Sequence, residues 1–110
     1  MNKNYFSKGI TDLLILTLLS DHDCYMYELV KSMSDYSKGK LSIAQNTIYT
    51  AAYKLEQDGM ISEYSKVVGR KRTRIYYHLE PEGQNLLNTL IEKYRNTVEG
   101  VDAVLSTFGN

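Results

Sequence analysis

One short segment of the sequence carries side chains suited to hydrogen bonding with a nucleic acid. Between Leu41 and Ile61, these residues combine amide, hydroxyl and ammonium groups: Asn46, Thr47, Tyr49, Thr50, Tyr53 and Lys54. Such groups bond to the edges of bases and to phosphate oxygens. The apolar residues of the segment recur at helical spacing and would form the opposite face: Ile48, Ala51, Ala52 and Leu55. A helix of this kind suits insertion into a DNA groove, but an ordinary solvent-exposed amphipathic helix has the same pattern.

The sequence also marks both ends of this helix. Ser42 is a preferred N-cap residue, and Gln45 three residues later completes an S-x-x-Q capping box. Gly59 can adopt the left-handed conformation that closes a helix, and the chain then becomes apolar at Met60. We therefore predict a helix that starts at the Ser42 cap and ends before Gly59, and we include Ser42 among the expected DNA contacts.

Basic residues are concentrated around the same segment. The chain carries 13 basic and 13 acidic residues, so its formal net charge is zero. Residues 38–76 hold eight of the basic and three of the acidic residues, a net charge of +5, which leaves −5 on the rest of the chain. A DNA backbone attracts such a cluster of positive charge. Chance clustering would give the same count, but its coincidence with the capped polar helix favours DNA.

The segment that follows Gly59 has the pattern of a β-hairpin. The period changes to two after Gly59, so that alternate residues from Ile61 to Val68 would lie on opposite sides of a strand, and β-branched and aromatic residues recur from Arg74 to Leu79. The connection between them is basic and completes the expected DNA contacts: Gly69, Arg70, Lys71, Arg72 and Arg74. A hairpin placed directly behind a helix-turn-helix is the wing of a winged helix.

Two predicted helices precede the capped one. Residues 9–20 are apolar nearly all round, so this helix requires burial on more than one side, and we expect a second subunit to contribute. The second helix extends from Tyr25 to Tyr36, with Leu29 and Met33 on the same stripe. The order of helix, helix, short turn and capped helix matches an enlarged helix-turn-helix unit.

The pattern of the last segment predicts a long helix that carries a dimer interface. Pro81 suits the first helical position because its φ angle is fixed. The apolar residues that follow have heptad spacing: Leu87, Ile91, Tyr94, Val98, Val101, Leu105 and Phe108. We predict that they form a dimer interface; the alternative is that the stripe folds back on its own core. The expected fold is mainly α-helical with a small β-hairpin, as a winged helix-turn-helix over residues 1–80 and a dimerisation helix over residues 81–110.

Composition and spacing argue against other classes of protein. At 110 residues the chain is one small domain, and we expect neither a membrane span nor a signal peptide. The single cysteine, Cys24, excludes an internal disulfide framework and fits a reducing, cytoplasmic location. We expect it to be a small buried side chain whose pKa is raised by Asp23. Because His22 and His78 lack the spacing of a metal site or a nucleophile pair, we expect no enzyme, no cofactor and no bound metal.

Three motifs resemble those of the PadR-like transcriptional regulators. The segment Asn46–Ile61 is similar to the third helix of that family, G-T-L-Y-x-x-L-x-x-L-E-x-x-G-L-I, with matches at Thr47, Tyr49, Leu55, Glu56, Gly59 and Ile61. Residues Arg74–Leu79, followed by Gly83, resemble the family motif R-x-Y-Y-x-L-T-x-x-G. Residues 25–27 are similar to the Tyr-x-Tyr with which a multidrug-sensing branch begins its second helix. The resemblance covers essentially the whole chain.

The resemblance implies a function as well as a fold. It implies a homodimeric, ligand-responsive repressor that binds a palindromic operator in double-stranded DNA, in the short branch of the family with a single C-terminal helix. A small aromatic or hydrophobic effector would release it by binding near the dimer axis, in a pocket lined by Tyr5, Phe6, Leu13, Leu16, Tyr94 and Val98. The alternative is a winged-helix dimer that docks another protein, for which binding would respond weakly to salt.

Overall fold

The computed structural model describes residues 9–110, and the elements follow the predicted order. Four helices and three strands occur in these residues: α1 (Ile10–Asp21), β1 (Cys24–Tyr25), α2 (Met26–Tyr36), α3 (Gln45–Gln57), β2 (Ile61–Val68), β3 (Arg72–Leu79) and α4 (Pro81–Thr107). Three helices and the β2–β3 hairpin form a winged helix-turn-helix, and α4 follows it, so the predicted fold class is confirmed. Among the described helices, none combines the length and hydropathy that a membrane span requires.

The sheet contains one strand that the sequence pattern did not predict. Its order is β1-β3-β2, and both pairings are antiparallel. In the hairpin, Ile61 lies opposite Leu79 at the base, and Val68 lies opposite Arg72 beside the turn. Strand β1 has only two residues, and its Cys24 lies opposite Tyr77. Two residues are too few to show the alternating pattern of a strand. This strand can therefore be recognised only from its pairing with β3, which is distant in the sequence.

Helix α1 lies at the centre of the hydrophobic core. It contacts α2, α3, α4 and β3 of its own chain, and Ile15 and Leu16 have no exposed surface. The prediction that α1 is buried on more than one side is confirmed, but its own chain buries these residues without a second subunit. The other buried hydrophobic residues come from all four helices, the sheet and the segment before α3: Leu19, Cys24, Leu29, Met33, Ile43, Ile48, Ala52, Leu55, Ile61, Tyr77 and Leu87.

Helix α3 begins later than predicted. Its first residue is Gln45, its N-cap residue is Ala44, and no side chain of the described residues caps it. The predicted capping box between Ser42 and Gln45 is therefore wrong, although Ser42 is exposed just before the helix. Ile43 belongs to the hydrophobic core. We attribute the later start to packing, because burial of Ile43 holds residues 41–44 outside the helix and the first turn forms only at Gln45.

The end of α3 forms as predicted and leads directly to α4. Gly59 has a φ angle of 78°, and the Met60 N–H donates to the Leu55 carbonyl at 2.9 Å, as in a Schellman motif. The Met60 carbonyl in turn accepts the N–H of Glu80 at 3.0 Å. One residue between α3 and β2 is thus hydrogen-bonded to the end of α3 and to the N-cap of α4.

Helix α4 is anchored by its first turns and then projects from the domain. Pro81 lies in its first turn, as predicted. The Glu80 carboxylate accepts a hydrogen bond from the Ser62 hydroxyl at 2.6 Å, and Leu87 is 3% exposed. Beyond Ile91, nearly every residue is exposed. The molecule therefore measures 59 Å in its longest direction and only 29 and 23 Å in the other two.

Candidate nucleic-acid interface

The outward side of α3 presents the predicted hydrogen-bonding residues. Ile48 and Ala52 are fully buried, and residues three or four apart share one face of a helix. The residues between them therefore turn outward: Tyr49 is 55% exposed and Tyr53 is 57% exposed. The four polar residues predicted on this face are exposed as well: Asn46, Thr47, Thr50 and Lys54. All six predicted contacts of α3 thus lie on its solvent side.

Local hydrogen bonds shape the start of this surface. The Thr50 hydroxyl donates to the Asn46 carbonyl at 2.9 Å, so in this state it offers only its oxygen lone pairs to another molecule. The Ala44 carbonyl accepts the N–H groups of Thr47 and Ile48 at 3.0 and 3.1 Å. The first N–H groups of a helix lack partners within it, and its dipole favours an anion there. The start of α3 is therefore suited to a phosphate group.

The tip of the wing is a tight basic turn. Gly69 and Lys71 have positive φ angles of 55° and 56°, and the Lys71 N–H donates to the Gly69 carbonyl at 3.1 Å. Arg70, Lys71 and Arg72 are all exposed. Among residues 9–110, the ion pairs take their positive partners from His22, Lys31 and His78, so no carboxylate pairs with these three cations. The tip is therefore free to contact an anionic partner.

Arg74 lies on the sheet and not at the tip. Its guanidinium carbon is 4.0 Å from the ring centre of Tyr25, which is a cation–π contact. Tyr64 and Tyr76 stack beside it with ring centres 5.7 Å apart, and Lys66 Nζ lies 5.3 Å from the Tyr76 ring centre. The structure therefore separates Arg74 from the three cations of the tip and packs it against an aromatic residue of β1.

A carboxylate ties the turn before β1 to the hairpin. Asp23 accepts hydrogen bonds from the Tyr64 hydroxyl at 2.6 Å and from His78 Nδ1 at 2.8 Å. Burial acts to raise the pKa of Asp23, but these two hydrogen bonds outweigh it, so the pKa lies below its usual value. The hydrogen bond from its hydroxyl to Asp23 raises the pKa of Tyr64 to about 12. Through this hydrogen bond, exposed His78 connects β3 to the turn before β1.

An acidic residue of α1 lies beside the outward side of α3. Asp12 lines a groove together with Asn46, Thr47, Thr50 and Lys54. Burial raises the pKa of the Asp12 carboxyl, the Lys54 ammonium opposes this rise, and Asp58 adds to it. When ionised, Asp12 lowers the positive potential at the place where a phosphate would approach α3.

The turn between α1 and α2 brings a histidine, a cysteine and carboxylates together. His22 Nδ1 lies 2.8 Å from the Asp21 carboxylate and Nε2 lies 2.9 Å from the Glu28 carboxylate. The hydrogen bonds to Glu28 and Asp21 raise the pKa of His22. Cys24 is buried, as predicted. Burial, followed by the nearby charges of Glu28 and Asp23, raises the pKa of its thiol to about 12.

The predicted dimerisation stripe divides into two parts. Leu87 is buried in the core of its own chain and Ile91 packs partly against that core, which corrects the prediction that the whole stripe faces a partner. The reason is that the first turns of α4 pack on α1 and against Met60, which follows α3. The rest of the stripe is partly or largely exposed: Tyr94, Val98, Val101, Leu105 and Phe108.

A cavity of about 480 Å³ lies between α1 and α4. Three predicted effector-binding residues line it: Leu13, Tyr94 and Val98. Leu16 does not, because it is fully buried in the hydrophobic core, and Tyr5 and Phe6 lie outside the described residues. The rest of the lining is largely apolar, with Lys93 and Asp102 as its charged members: Gly9, Ile10, Leu90, Lys93, Thr97, Val101 and Asp102.

Comparison with known proteins identifies the family. The model of the "Transcriptional regulator PadR-like family" matches residues 15–89. The chain belongs to this family. The family model covers most of the winged helix-turn-helix and the start of α4, which are the elements that position the outward side of α3 and the wing tip.

Solved structures of other proteins resemble this PadR-like regulator over most of its length. A transcriptional regulator from Clostridium thermocellum is 29% identical, with a TM-score of 0.81 over 88% of this chain and 94% of that chain. A PadR family regulator from Clostridium difficile is 26% identical, with a TM-score of 0.71 over 93% of this chain and 100% of that one. Bacillus subtilis PadR in complex with operator DNA shares the fold at 22% identity, with a TM-score of 0.68 over 74% of this chain and 46% of that chain. The family and the first two of these neighbours are regulators of transcription.

Sequence patterns located the outward side of α3 and the wing tip of this PadR-like chain. They did not locate Asp12 beside α3 or the contact of Arg74 with Tyr25. The residues of α3 and the cations of the wing tip lie in continuous segments with local signals. Asp12 and the Arg74–Tyr25 contact gave no such signal, because each joins residues more than 30 positions apart. Only the packing of α1 on α3 and of β1 on β3 brings these residues together.

Proposed function

We propose that this PadR-like regulator is a cytoplasmic homodimeric repressor that binds a palindromic operator in double-stranded DNA. In this proposal, residues 1–80 bind DNA and residues 81–110 form the dimer. The observation that supports it best is the pairing of an exposed hydrogen-bonding side on α3 with three exposed cations at the wing tip, for which residues 9–110 supply no carboxylate partner. The resemblance of the fold to a PadR protein solved with operator DNA adds support.

Helix α3 reads bases in the major groove in this proposal. The Asn46 amide suits an adenine, whose N7 and N6 groups it can bond together. Thr47, Tyr49 and Tyr53 offer hydroxyl groups on the same side, and Lys54 offers a charge to the backbone. Each specific contact to a base contributes about 1–3 kcal/mol of discrimination. The exposed Ser42 lies just before the helix, where it can reach a phosphate.

The wing supplies affinity that does not depend on sequence. Arg70, Lys71 and Arg72 lie at the end of a two-stranded arm, and each can neutralise a phosphate and release a counterion. Gly69 allows the turn to present these side chains outward. Arg74 supports the arm through its packing on Tyr25 and reaches DNA only where the backbone passes the face of the sheet.

The exposed half of α4 forms the dimer interface in this proposal. Val101 is 51% exposed, Val104 60% and Phe108 77%, and an apolar surface of this kind on a projecting helix requires a partner. A symmetric pair places two α3 helices about one turn of DNA apart, roughly 34 Å. That spacing is what a palindromic operator requires.

The cavity between α1 and α4 is the effector site in this proposal. Its volume of about 480 Å³ lies within the usual range for small-molecule sites, and its lining is mostly apolar with one aromatic ring, Tyr94. A hydrophobic or aromatic ligand there would contact the helix that supports α3 and the helix that forms the dimer. It would release DNA by favouring a spacing of the two α3 helices that the operator cannot match.

The decisive experiment is fluorescence anisotropy with the upstream DNA of the regulator's own gene and with a scrambled duplex, at several salt concentrations. We expect tight, selective binding with a steep negative salt slope. Replacing Arg70, Lys71 and Arg72 together by Ala should weaken binding to both duplexes and reduce the slope by about 0.9 for each phosphate that the variant no longer neutralises. The control removes two cations elsewhere, Lys31→Ala with Arg95→Ala, and should retain most of the slope.

Other results would redirect or overturn the proposal. Asn46→Ala should weaken binding to the operator by about 1–3 kcal/mol and leave binding to the scrambled duplex unchanged; an equal loss on both would contradict base reading by this residue. Equal, weak binding of the wild-type protein to both duplexes would require the same measurement on genomic fragments. Failure on every fragment, together with salt-insensitive binding to a protein partner, would favour the docking alternative.

A further inference from the structure

Three potential metal ligands meet at the turn between α1 and α2. One ring nitrogen of His22, the Cys24 sulfur and one carboxylate oxygen of Glu28 all lie within 4.8 Å of one another. His22 follows the last residue of α1, Cys24 begins β1, and Glu28 lies in the first turn of α2. We propose that these three residues bind a divalent transition-metal ion of the zinc type.

The identity of the ligand atoms favours zinc over the hard cations. Imidazole nitrogen, thiolate sulfur and carboxylate oxygen are the three ligand types that zinc accepts in proteins. Magnesium and calcium prefer sites made of oxygen atoms, which a buried thiol cannot provide. The donor set here is mixed and contains the only cysteine of the chain. It therefore resembles a site for a borderline or soft metal ion.

The ligand atoms lie close to the separations that a bound ion requires. Bond lengths of about 2.0–2.3 Å around a tetrahedral centre place the ligand atoms about 3.3–3.6 Å apart. His22 Nε2 and the Glu28 oxygen are now 2.9 Å apart, so they need to separate by about half an ångström. The Cys24 thiol now donates to the His22 carbonyl at 3.3 Å, and it would exchange that hydrogen bond for the bond to the ion.

A further carboxylate holds His22 in the orientation that a metal ligand needs. Metal-binding histidines commonly donate their second ring N–H to a carboxylate, which fixes the ring and its tautomer. His22 Nδ1 is 2.8 Å from the Asp21 carboxylate, which leaves Nε2 directed at Glu28. Asp21 thus takes the role of a positioning residue. It is not counted among the three ligands.

The site is open on one side and closed on the other. The side chains of His22 and Glu28 are 51% and 30% exposed, which provides a path for the ion, while Cys24 is 1% exposed. On binding, the thiol proton passes to the buffer and the sulfur bonds the ion as thiolate. Water completes the four-coordinate shell. The ion would join the end of α1 to the start of α2 and to β1, whether or not the protein binds DNA.

Cobalt(II) is the probe for this proposal, because it substitutes for zinc and its bond to a thiolate absorbs in the near ultraviolet. The apoprotein, kept reduced without thiol reagents, is titrated with cobalt(II) alone. We expect saturation at one ion per chain, a thiolate-to-cobalt absorption band, and visible bands of four-coordinate intensity. Since Cys24 is the only cysteine, the thiolate band can arise from no other residue. Zinc added afterwards should displace the cobalt and abolish all of these bands.

Four variants make the test decisive. Cys24→Ser should remove the thiolate band, and His22→Gln and Glu28→Gln should each weaken cobalt binding by roughly tenfold or more. The matched control is Glu82→Gln, because it makes the same change as Glu28→Gln at another carboxylate in the first turn of a helix; it should bind cobalt as the wild type does. Circular dichroism checks that each variant is folded.

Two results would overturn the proposal. One is a wild-type titration without a thiolate band, which would leave the cluster as a set of hydrogen bonds only. The other is unchanged affinity in both His22→Gln and Glu28→Gln, which would reduce the site to adventitious contact with a thiol. Because both of these side chains are at least partly exposed, the second test remains valid even if Cys24→Ser fails to fold.

Discussion

The two halves of α4 have the same heptad spacing but opposite surroundings. In the first half, Gly83 and Leu87 are buried against the domain of their own chain. In the second half, Val101, Leu105 and Phe108 are 51%, 45% and 77% exposed. Heptad spacing therefore shows that a helix has an apolar face to bury, and it does not show whether the covering surface belongs to the same chain or to a partner.

The difference follows from the length of the helix. Residues 81–107 form 27 residues of continuous helix, which at 1.5 Å per residue is about 40 Å long. Its contacts with α1 and with the residues after α3 cover only the first turns, and the remainder extends past them. The apolar stripe of α4 is therefore buried in the core at its start and exposed to solvent at its end.

The largest effect should come from placing a charge in the exposed half. If residues 94–108 form the proposed dimer, Val98→Asp buries one carboxylate from each subunit and should cost at least about 5 kcal/mol of association free energy. Sedimentation velocity should then show a monomer. The control, Asn96→Asp, adds the same charge to nearly the opposite side of α4 and should leave the dimer intact. A dimer that persists in Val98→Asp would remove this half from the interface.

Shortening a leucine should affect the stability of the fold differently in the two halves of α4. Leu87→Ala removes a buried side chain and should lower the free energy of unfolding by about 2–5 kcal/mol. Leu105→Ala, in the exposed half, should change the stability of the monomer by less than about 0.5 kcal/mol and should weaken the dimer instead. Urea unfolding measured at several protein concentrations distinguishes the two effects. Equal losses of monomer stability in Leu87→Ala and Leu105→Ala would contradict the division of α4 into a buried and an exposed half.

Two glycines of α4 should respond in opposite directions to the same change. A Cβ atom added at Gly83 would overlap the Met60 carbonyl oxygen and lie 2.6 Å from Leu79 Cδ1, whereas one added at Gly100 meets nothing within 4 Å. Gly83→Ala should therefore destabilise the fold by about 1–3 kcal/mol. Gly100→Ala should stabilise the helix by up to about 1 kcal/mol. Thermal unfolding followed by circular dichroism measures both, and a stabilised Gly83→Ala would refute the close contact.

The elements with local signals were predictable from the sequence. Gly59 and Pro81 act through their own backbone geometry, so the end of α3 and the start of α4 lie where they were predicted. The second helix was predicted from Tyr25 and begins at Met26. The start of α3 was not predictable, because the Ser42 signal was overridden by burial of Ile43, which only the assembled core determines.

The candidate sites were predictable to different degrees. The outward residues of α3 and the cations of the wing follow one another in the chain, so composition and periodicity were sufficient to find them. The grouping of His22, Cys24 and Glu28 was missed, because it depends on how the chain turns between two helices and not on a standard ligand spacing. Asp12 was missed because its neighbours on α3 are distant in sequence.

The hydrogen bonds of Met60 also determine how motion can pass through the molecule. Its N–H bonds the end of α3, and its carbonyl bonds the N-cap of α4 and touches Gly83. The helix proposed to read DNA is therefore joined to the helix proposed to form the dimer by backbone hydrogen bonds and not by a flexible linker. We therefore expect that a tilt of α4 in the proposed dimer would be passed to α3 through Met60.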